Sequence, residues 1–224
     1  MLLDNVTLVT IDGVDPTLCL RLLRHCQKEI QFKETKLISF EKPKGDLGSV
    51  EFWEIPKFSH DVHGQGEGTN DYNEFVVNKL YQYVDTDFVL IVQTDGFITH
   101  PSLWSDEFLD YDYLGSPWPN QAHLMGCKWV DVDKKFSPQN LVGGGGFSLR
   151  SKKIINLAHE CPRELRGPED VYYCVNNYDY FISHGVRYAP VNISERFSRD
   201  DDGRVHDNCF GFHGNREHIH NILK

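Results

Sequence analysis

The chain has 224 residues, 40% of them hydrophobic and 12% aromatic, which is enough to bury a substantial core, and we expect one domain spanning residues 1–224. Its 23 basic and 33 acidic residues give a net charge of −10, which disfavours non-specific binding to nucleic acid or anionic membranes. No run reaches the roughly 18 uncharged residues that a membrane span needs. The six cysteines form no CxxC pair, so we expect a cytoplasmic protein with reduced thiols.

The first part of the chain is predicted to alternate strands and helices. Residues 6–11 form a buried strand, and Asp15 and Pro16 then supply the N-cap and the first turn of an amphipathic helix that runs to about residue 30. Two further strands are predicted at residues 35–40 and 50–55.

The middle of the chain contains the clearest strand. A polar, glycine-rich loop at residues 59–70 precedes a helix at residues 71–83. Residues 87–92 are apolar on both faces, which predicts a central strand of a parallel sheet. This alternation predicts a doubly wound α/β fold, in which ligands bind at the carboxyl ends of the strands.

The predicted central strand ends in Gln93-Thr94-Asp95-Gly96. This order places a carboxylate at the carboxyl edge of the sheet, followed by a glycine that lets the backbone turn sharply. A metal ligand is expected at such a place. The alternative is that Asp95 only caps a turn.

Four consecutive glycines, residues 143–146, run directly into the apolar segment 147–150. Such a run is either a flexible loop or a stretch where something large approaches the backbone. It lacks the trailing GK[ST] of a P-loop and lies too late in the chain for a Rossmann fingerprint.

The segment Gly167-Pro168-Glu169-Asp170 has the features of a helix start, with a proline in the first turn and two acids stabilised by the helix dipole. Adjacent helical residues point about 100° apart, so one of the two acids is expected to face a cleft, where it could deprotonate an acceptor hydroxyl. Capping alone would also explain the pair. The choice between Glu169 and Asp170 stays open.

Histidines occur in two places where a metal ion could bind. His213 lies in the segment Phe210-Gly211-Phe212-His213-Gly214 near the end of the chain. His60 and His63 lie in the glycine-rich loop, but without a third fixed ligand they are predicted to be solvated.

Five segments together resemble a family of GT-A-like proteins known as a domain of unknown function. They are, in chain order, YVDTDFVLIVQTDGFI, DEFLDYDYLGSPW at residues 106–118, GGGGFSLRS, GPEDVYYC and FGFHG. The likeness covers roughly residues 4–214. It implies a single-domain, Rossmann-like nucleotide-sugar-binding fold with a mostly parallel central sheet.

The resemblance also implies functional residues. Asp95 and His213 would hold Mn²⁺ or Mg²⁺ against the donor diphosphate, with Gln93 replacing the first acid of the DxD motif. Glu169 or Asp170 would be the catalytic base. Contacts to the nucleotide sugar are implied for Thr10, Asp12, Gln93, Thr94, Asp95, Gly144 and Gly145. The acceptor side would include Asp112 and Trp118, and both Trp118 and Trp129 could stack on a sugar ring.

The function that the resemblance implies is an inverting, metal-dependent glycosyltransferase. It would transfer a sugar from a nucleotide-sugar donor, a UDP-sugar being favoured, to a hydroxyl on a glycan or polysaccharide. One alternative is glycosylation of hydroxymethylated bases in viral DNA, which needs a local basic surface. Three lysine groups could provide it, namely Lys42 with Lys44, Lys128 with Lys134 and Lys135, and Lys152 with Lys153. Another is a sugar-binding or scaffold protein that has kept the fold without the reaction.

Overall fold

The computed structural model describes residues 1–58, 68–118, 142–199 and 207–214. Within these ranges the strands are β1 Leu2–Asp12, β2 Gln31–Ser39, β3 Glu51–Glu54, β4 Phe88–Ile91, β5 Gly96–Ile98, β6 Tyr113–Pro117, β7 Val142–Ser151, β8 Ser198–Arg199 and β9 Gly211–His213.

The helices are mostly short. They are α1 Pro16–Cys26, α2 Gly68–Asn78, α3 Lys152–Glu160, α4 Glu169–Val171, α5 Tyr178–Ser183 and α6 Val191–Phe197. A π-helical turn, Tyr172–Asn176, connects α4 to α5, and 3₁₀ turns occur at Leu80–Tyr83, Pro101–Leu103 and Asp106–Asp110. In the part of the chain that the structure describes, no helix has the length and apolar character needed to cross a membrane.

Six strands form the central sheet, in the order β3-β2-β1-β4-β7-β6. The pairings of β3 with β2, β2 with β1 and β1 with β4 are parallel, whereas β7 runs antiparallel to both β4 and β6. The predicted α/β fold with a mostly parallel sheet is confirmed. Strand β4 is central as expected, but one of its two neighbours is antiparallel, because an apolar strand pattern reports burial and not the direction of the adjacent strand.

Packing on both faces of the sheet explains why the central strands are apolar throughout. Leu8 of β1 and Leu90 of β4 belong to a hydrophobic cluster that includes α1. Their chain neighbours Val9 and Ile91 belong to a second cluster, which includes α2 and α3. Successive residues of each strand therefore enter opposite layers of a doubly wound fold.

Helix α1 begins as predicted and ends earlier than predicted. The Asp15 side chain accepts a hydrogen bond of 2.9 Å from the Leu18 amide, and Pro16 is the first helical residue. The helix ends at Cys26, not near residue 30, because β2 already begins at Gln31, where it pairs with Leu2.

A small second sheet fixes the end of the described chain against the segment that follows β4. Its strand order is β5-β9-β8, with β5 antiparallel and β8 parallel to β9. Residue Gly96 of β5 pairs with His213 of β9, so residues far apart in sequence meet beside the carboxyl end of β4.

Candidate functional site

The turn after β4 presents polar side chains at the carboxyl edge of the sheet. The backbone amide of Gln93 donates to the carbonyl of Gly96 and the amide of Gly96 donates to the carbonyl of Gln93, both at 2.9 Å. These two bonds close a tight turn with Thr94 and Asp95 at its tip. Because β1 is parallel to β4, the end of β1 lies at the same edge.

A cleft of about 310 Å³ lies at this edge. Most of the predicted site residues line it, namely Thr10, Asp12, Gln93, Thr94, Asp95, Glu169, Asp170 and His213. The other lining residues that the structure describes are Ile11, Gly13, Val14, Cys19, Phe58, Tyr72, Asn73, Gly146 and Pro168.

The side chains of Asp95 and His213 lie next to each other in the cleft wall. Oδ1 of Asp95 is 3.6 Å from Nε2 of His213, and the Gly214 amide donates to the Asp95 carbonyl at 2.8 Å. Two ligand atoms that are each about 2.1 Å from one divalent ion are at most about 4.2 Å apart. The separation therefore fits a shared ion. In the described ranges, no group of three or more His, Cys, Asp or Glu side chains lies close enough together to hold a metal ion.

Of the two acids at the start of α4, Glu169 and Asp170, Asp170 has the environment that suits proton transfer. Burial raises the pKa of its carboxyl to about 7, and the neighbouring Glu169 carboxylate adds to the shift. The amide of Val171 donates to its Oδ1 at 2.7 Å. A carboxyl that titrates close to neutral pH is well matched to the task of a general base.

Glu169 is held by a buried ion pair. Its carboxylate lies 2.7 Å from the guanidinium of Arg150, and the two side chains are 5% and 0% exposed. The Arg150 guanidinium also lies over the rings of Tyr113 and Tyr173, at 5.1 and 4.8 Å from their centroids. The Glu169 carboxylate in the cleft wall is thus engaged in an ion pair that fixes the start of α4.

The glycine run lies within β7, so of the two interpretations of the sequence the flexible loop is wrong. A Cβ on Gly143 would overlap the ring of Trp118, and a Cβ on Gly145 would overlap the carboxylate of Glu169. The side chains that approach this backbone therefore belong to the protein itself.

The individual glycines differ in their relation to the cleft. Gly144 faces Ser116 of β6 and Gly145 faces Glu169, so neither of these two predicted binding residues lines the cleft. Gly146, which was not singled out, does line it. A Cβ on Gly146 would overlap the imidazole of His213.

The end of β1 contributes Thr10 and Asp12 to the cleft wall. One oxygen of the Asp12 carboxylate accepts hydrogen bonds from the amides of Val14 and Asp15, at 2.9 and 2.6 Å. Burial raises the pKa of this carboxyl. Asp12 therefore shapes the loop that leads into α1, while Thr10 lies buried in the cleft wall.

Asp112 does not reach the cleft. Its carboxylate accepts hydrogen bonds from Ser151 Oγ at 2.6 Å and from the Arg187 amide at 2.8 Å. Ser151 pairs with Phe88, the first residue of β4, so Asp112 lies at the edge of the sheet opposite to Asp95. We do not retain Asp112 as an acceptor residue.

Trp118 is half-buried and packs over Gly143, outside the described lining of the cleft. Trp129, His60 and His63 lie outside the described residues. Tyr72, Asn73, Phe58 and Cys19 line the cleft without having been expected from the sequence. No local motif distinguishes them, since Tyr72 and Asn73 belong to an ordinary helical pattern and only tertiary packing brings them to the cleft.

The mostly parallel α/β sheet with this cleft at its carboxyl edge has a GT-A-like fold. The fold is similar to that of LgtC: a crystal structure of an active-site mutant of LgtC aligns with a TM-score of 0.50 at 11% identity, over 97% of this chain and 94% of that chain. The galactosyltransferase LgtC in complex with donor and acceptor sugar analogues aligns with a TM-score of 0.49 at 12% identity, over 97% and 95% of the two chains.

The sequence model of the family described as "Protein of unknown function (DUF5672)" matches residues 54–213. The chain belongs to this family. A search of the curated proteins found no significant match.

Proposed function

We propose that the protein is a metal-assisted glycosyltransferase that transfers a sugar from a nucleotide-sugar donor, with a UDP-sugar favoured, to a hydroxyl of a glycan or polysaccharide in the cytoplasm. The observation that carries the proposal is the convergence of Asp95, His213 and Asp170 in one cleft. The GT-A-like fold supports it, because ligands of open α/β sheets bind at the carboxyl edge where this cleft lies.

The charge of the cleft supports the need for a divalent ion. Asp12, Asp95, Glu169 and Asp170 line it, and none of the lining residues that the structure describes is a lysine or an arginine. The Glu169 carboxylate is paired with the guanidinium of Arg150. A donor diphosphate would be repelled by the negative charge of the remaining carboxylates. Mn²⁺ or Mg²⁺ held by Asp95 and His213 would offset this repulsion and neutralise the charge that develops on the leaving diphosphate.

Asp170 is assigned as the base. Its carboxylate takes the proton from the acceptor hydroxyl as the hydroxyl oxygen forms a bond to the anomeric carbon and the bond from that carbon to the diphosphate breaks. A single displacement of this kind inverts the anomeric centre. Glu169 is assigned to positioning, because its ion pair with Arg150 holds the start of α4 and with it the carboxyl of Asp170.

The acceptor is proposed to bind beside Trp118, whose half-buried ring could stack on a sugar. The basic surface that DNA glycosylation requires is not favoured at Lys152 and Lys153. These two side chains lie 3.9 and 3.6 Å from carboxylates of Asp85 and Asp112. Together with the net charge of −10, these ion pairs favour a glycan acceptor over DNA.

The first test is thermal stability against a panel of UDP, GDP, dTDP and CMP sugars, with and without Mn²⁺, in the wild type and in Asp95→Ala. A ligand at about a hundred times its Kd adds roughly 2.7 kcal/mol to the free energy of unfolding. We expect a Mn²⁺-dependent shift with a UDP-sugar that Asp95→Ala abolishes. If none of the nucleotide sugars in the panel shifted the thermal stability, the proposal would be overturned.

The second test separates an enzyme from a binding protein. Wild-type protein should release UDP slowly from the donor that gives the shift, through transfer of the sugar to water. Asp170→Asn should bind this donor and turn it over about 10²- to 10⁴-fold more slowly. Binding without turnover in the wild type, with or without acceptor glycans, would establish the sugar-binding or scaffold alternative.

A further inference from the structure

Two adjacent residues of α2, Tyr72 and Asn73, lie buried in the wall of the cleft, where they are 8% and 4% exposed. Asn73 holds the start of α4, because its Oδ1 accepts a hydrogen bond of 3.1 Å from the backbone amide of Glu169. Tyr72 holds the turn after β4, because its hydroxyl oxygen accepts a hydrogen bond of 2.7 Å from Nε2 of Gln93. One helix therefore contacts both α4 and the turn after β4 through neighbouring side chains.

Both side chains have hydrogen-bond donors left for a ligand. The oxygen of each is engaged by an internal donor, which leaves the NH₂ hydrogens of Asn73 and the hydroxyl hydrogen of Tyr72. In the part of the chain that the structure describes, Nδ2 of Asn73 has no hydrogen-bond partner. Burial raises the pKa of the Tyr72 hydroxyl, so this group keeps its proton at neutral pH. A buried donor without a partner costs free energy that a ligand oxygen would recover.

A hydroxyl is the ligand group that matches the hydrogen-bonding groups of the cleft. The cleft lining also includes Asp12 and Asp170, whose carboxylates only accept hydrogen bonds when they are ionised. A hydroxyl can accept a hydrogen bond from Asn73 or Tyr72 and donate one to a carboxylate at the same time. A phosphate oxygen can only accept, and the carboxylates would repel it. This part of the cleft therefore favours a polyhydroxyl ligand over a phosphate.

We propose that Asn73 and Tyr72 bind hydroxyl groups of the transferred sugar and so determine which donor sugars the protein accepts. This inference rests on the glycosyltransferase function proposed above and specifies how the sugar part of the donor is recognised. In a displacement with inversion, the transferred sugar lies between the base and the leaving diphosphate. Asn73 contacts α4, which carries Asp170, and Tyr72 contacts the turn that carries Asp95. The two side chains therefore border the space in which the sugar would lie.

The test measures the Kd of UDP-glucose, UDP-galactose and UDP for the full chain with Mn²⁺, by isothermal titration calorimetry. Asn73→Leu removes the amide at a similar side-chain volume, and Tyr72→Phe removes the hydroxyl. Each variant should raise the Kd of at least one of the two UDP-sugars about tenfold. The Kd of UDP should stay within about twofold of the wild type, because UDP lacks the transferred sugar.

Deoxy analogues of the two UDP-sugars separate a direct contact from a structural effect, because each analogue lacks one sugar hydroxyl. Wild-type protein should bind at least one analogue about tenfold more weakly than its parent UDP-sugar. In Asn73→Leu or Tyr72→Phe, that analogue and its parent should bind alike. A purely structural role would weaken both equally and preserve the ratio found in the wild type. The comparison in the wild type is informative even if a variant fails to fold.

The chain contains matched controls for both substitutions. Asn78 is the last residue of α2, and the hydroxyl of Tyr81 accepts a hydrogen bond of 3.2 Å from Nε2 of Gln82 on the exposed surface. Neither Asn78 nor Tyr81 belongs to the described lining of the cleft. Asn78→Leu and Tyr81→Phe should therefore leave every Kd at the wild-type level. Circular dichroism of each variant confirms that it is folded before its affinities are compared.

Three results would overturn the inference. They are equal losses of affinity for UDP and for the UDP-sugars, folded Asn73→Leu and Tyr72→Phe with wild-type Kd values throughout, and deoxy analogues that all bind wild-type protein like their parents. If the two variants raised only the KM for an acceptor glycan, the hydroxyl would belong to the acceptor, which also contradicts the inference. None of these results touches the donor-induced shift and the turnover of the wild type that test the proposed function, so the two can fail separately.

Discussion

His213 lies directly opposite Gly96 in the antiparallel pairing of β5 with β9. A Cβ on Gly96 would stand 2.8 Å from Cδ2 of the imidazole, closer than van der Waals contact allows. His213, one proposed metal ligand, can therefore take this position only because Gly96 has no side chain. Gly96 directly follows Asp95, the other proposed ligand.

Gly96→Ala should displace the imidazole and weaken Mn²⁺ binding to the level of His213→Ala, about tenfold or more below the wild type. Crowding at this site should also cost about 1–3 kcal/mol of stability. Mn²⁺ titration and urea unfolding measure the two effects. Wild-type Mn²⁺ affinity in Gly96→Ala would contradict the assignment of His213 as a ligand.

Removal of Glu169 should be far more destabilising than removal of an exposed glutamate that is also paired with an arginine. Glu169→Ala leaves the buried Arg150 charge without its partner, which costs about 3–5 kcal/mol. Glu164→Ala, whose Arg166 partner lies at 3.2 Å on the surface, should cost less than about 1 kcal/mol. Urea unfolding at pH 7 compares them, and equal losses would refute a structural role for the Glu169 pair.

The raised pKa of Asp170 predicts a specific dependence of stability on pH. Between its unfolded pKa near 4 and its folded pKa of about 7, the folded state binds the proton more tightly, so the contribution of this group is fully present at acid pH and is lost as the pH rises through 7. Asp170→Asn should therefore gain stability relative to the wild type, by a few kcal/mol, between about pH 4 and pH 8.

The measurement is the free energy of unfolding in EDTA across that pH range. Asp110→Asn, at an exposed position, is the control variant. A pH-independent difference for Asp170→Asn would show that the Asp170 carboxyl is not perturbed.

Catalysis should follow the deprotonated form of Asp170. Donor turnover is expected to rise with pH through about 7, because only the carboxylate can accept the proton of the attacking hydroxyl. Asp170→Asn should lose about 10²- to 10⁴-fold in kcat and keep the donor-induced thermal shift. Turnover in Asp170→Asn close to the wild-type rate would transfer the role of base to another group.

Trp118 should act on the acceptor and not on the donor. Trp118→Ala is expected to raise the KM for the acceptor glycan while donor hydrolysis in water stays unchanged, because its ring packs over Gly143 outside the described cleft lining. Trp53→Ala, at an exposed tryptophan of strand β3, is the control and should change neither quantity. A matching loss of donor hydrolysis would place Trp118 on the donor side.

The sequence by itself was sufficient for the framework of the fold. The apolar run at the centre of the chain predicted β4, and the polar residues directly after it predicted the position of Asp95, because a buried strand and its end can be recognised from neighbouring residues alone. Asp15 and Pro16 marked the start of α1 for the same reason, since capping acts within one helical turn.

Tertiary structure alone decided the partners of these residues. The direction of β7, the pairing of Glu169 with Arg150, the contact of Gln93 with Tyr72 and the approach of His213 to Gly146 all join positions that are distant in the chain. Hydrophobic periodicity and local motifs record whether a side chain is buried, but they contain no information about which distant side chain it meets. The glycine run could be interpreted from the sequence either as a flexible loop or as a close approach to the backbone. Only the fold decided between the two, and it determined that Trp118, Glu169 and His213 are among the groups that approach the run.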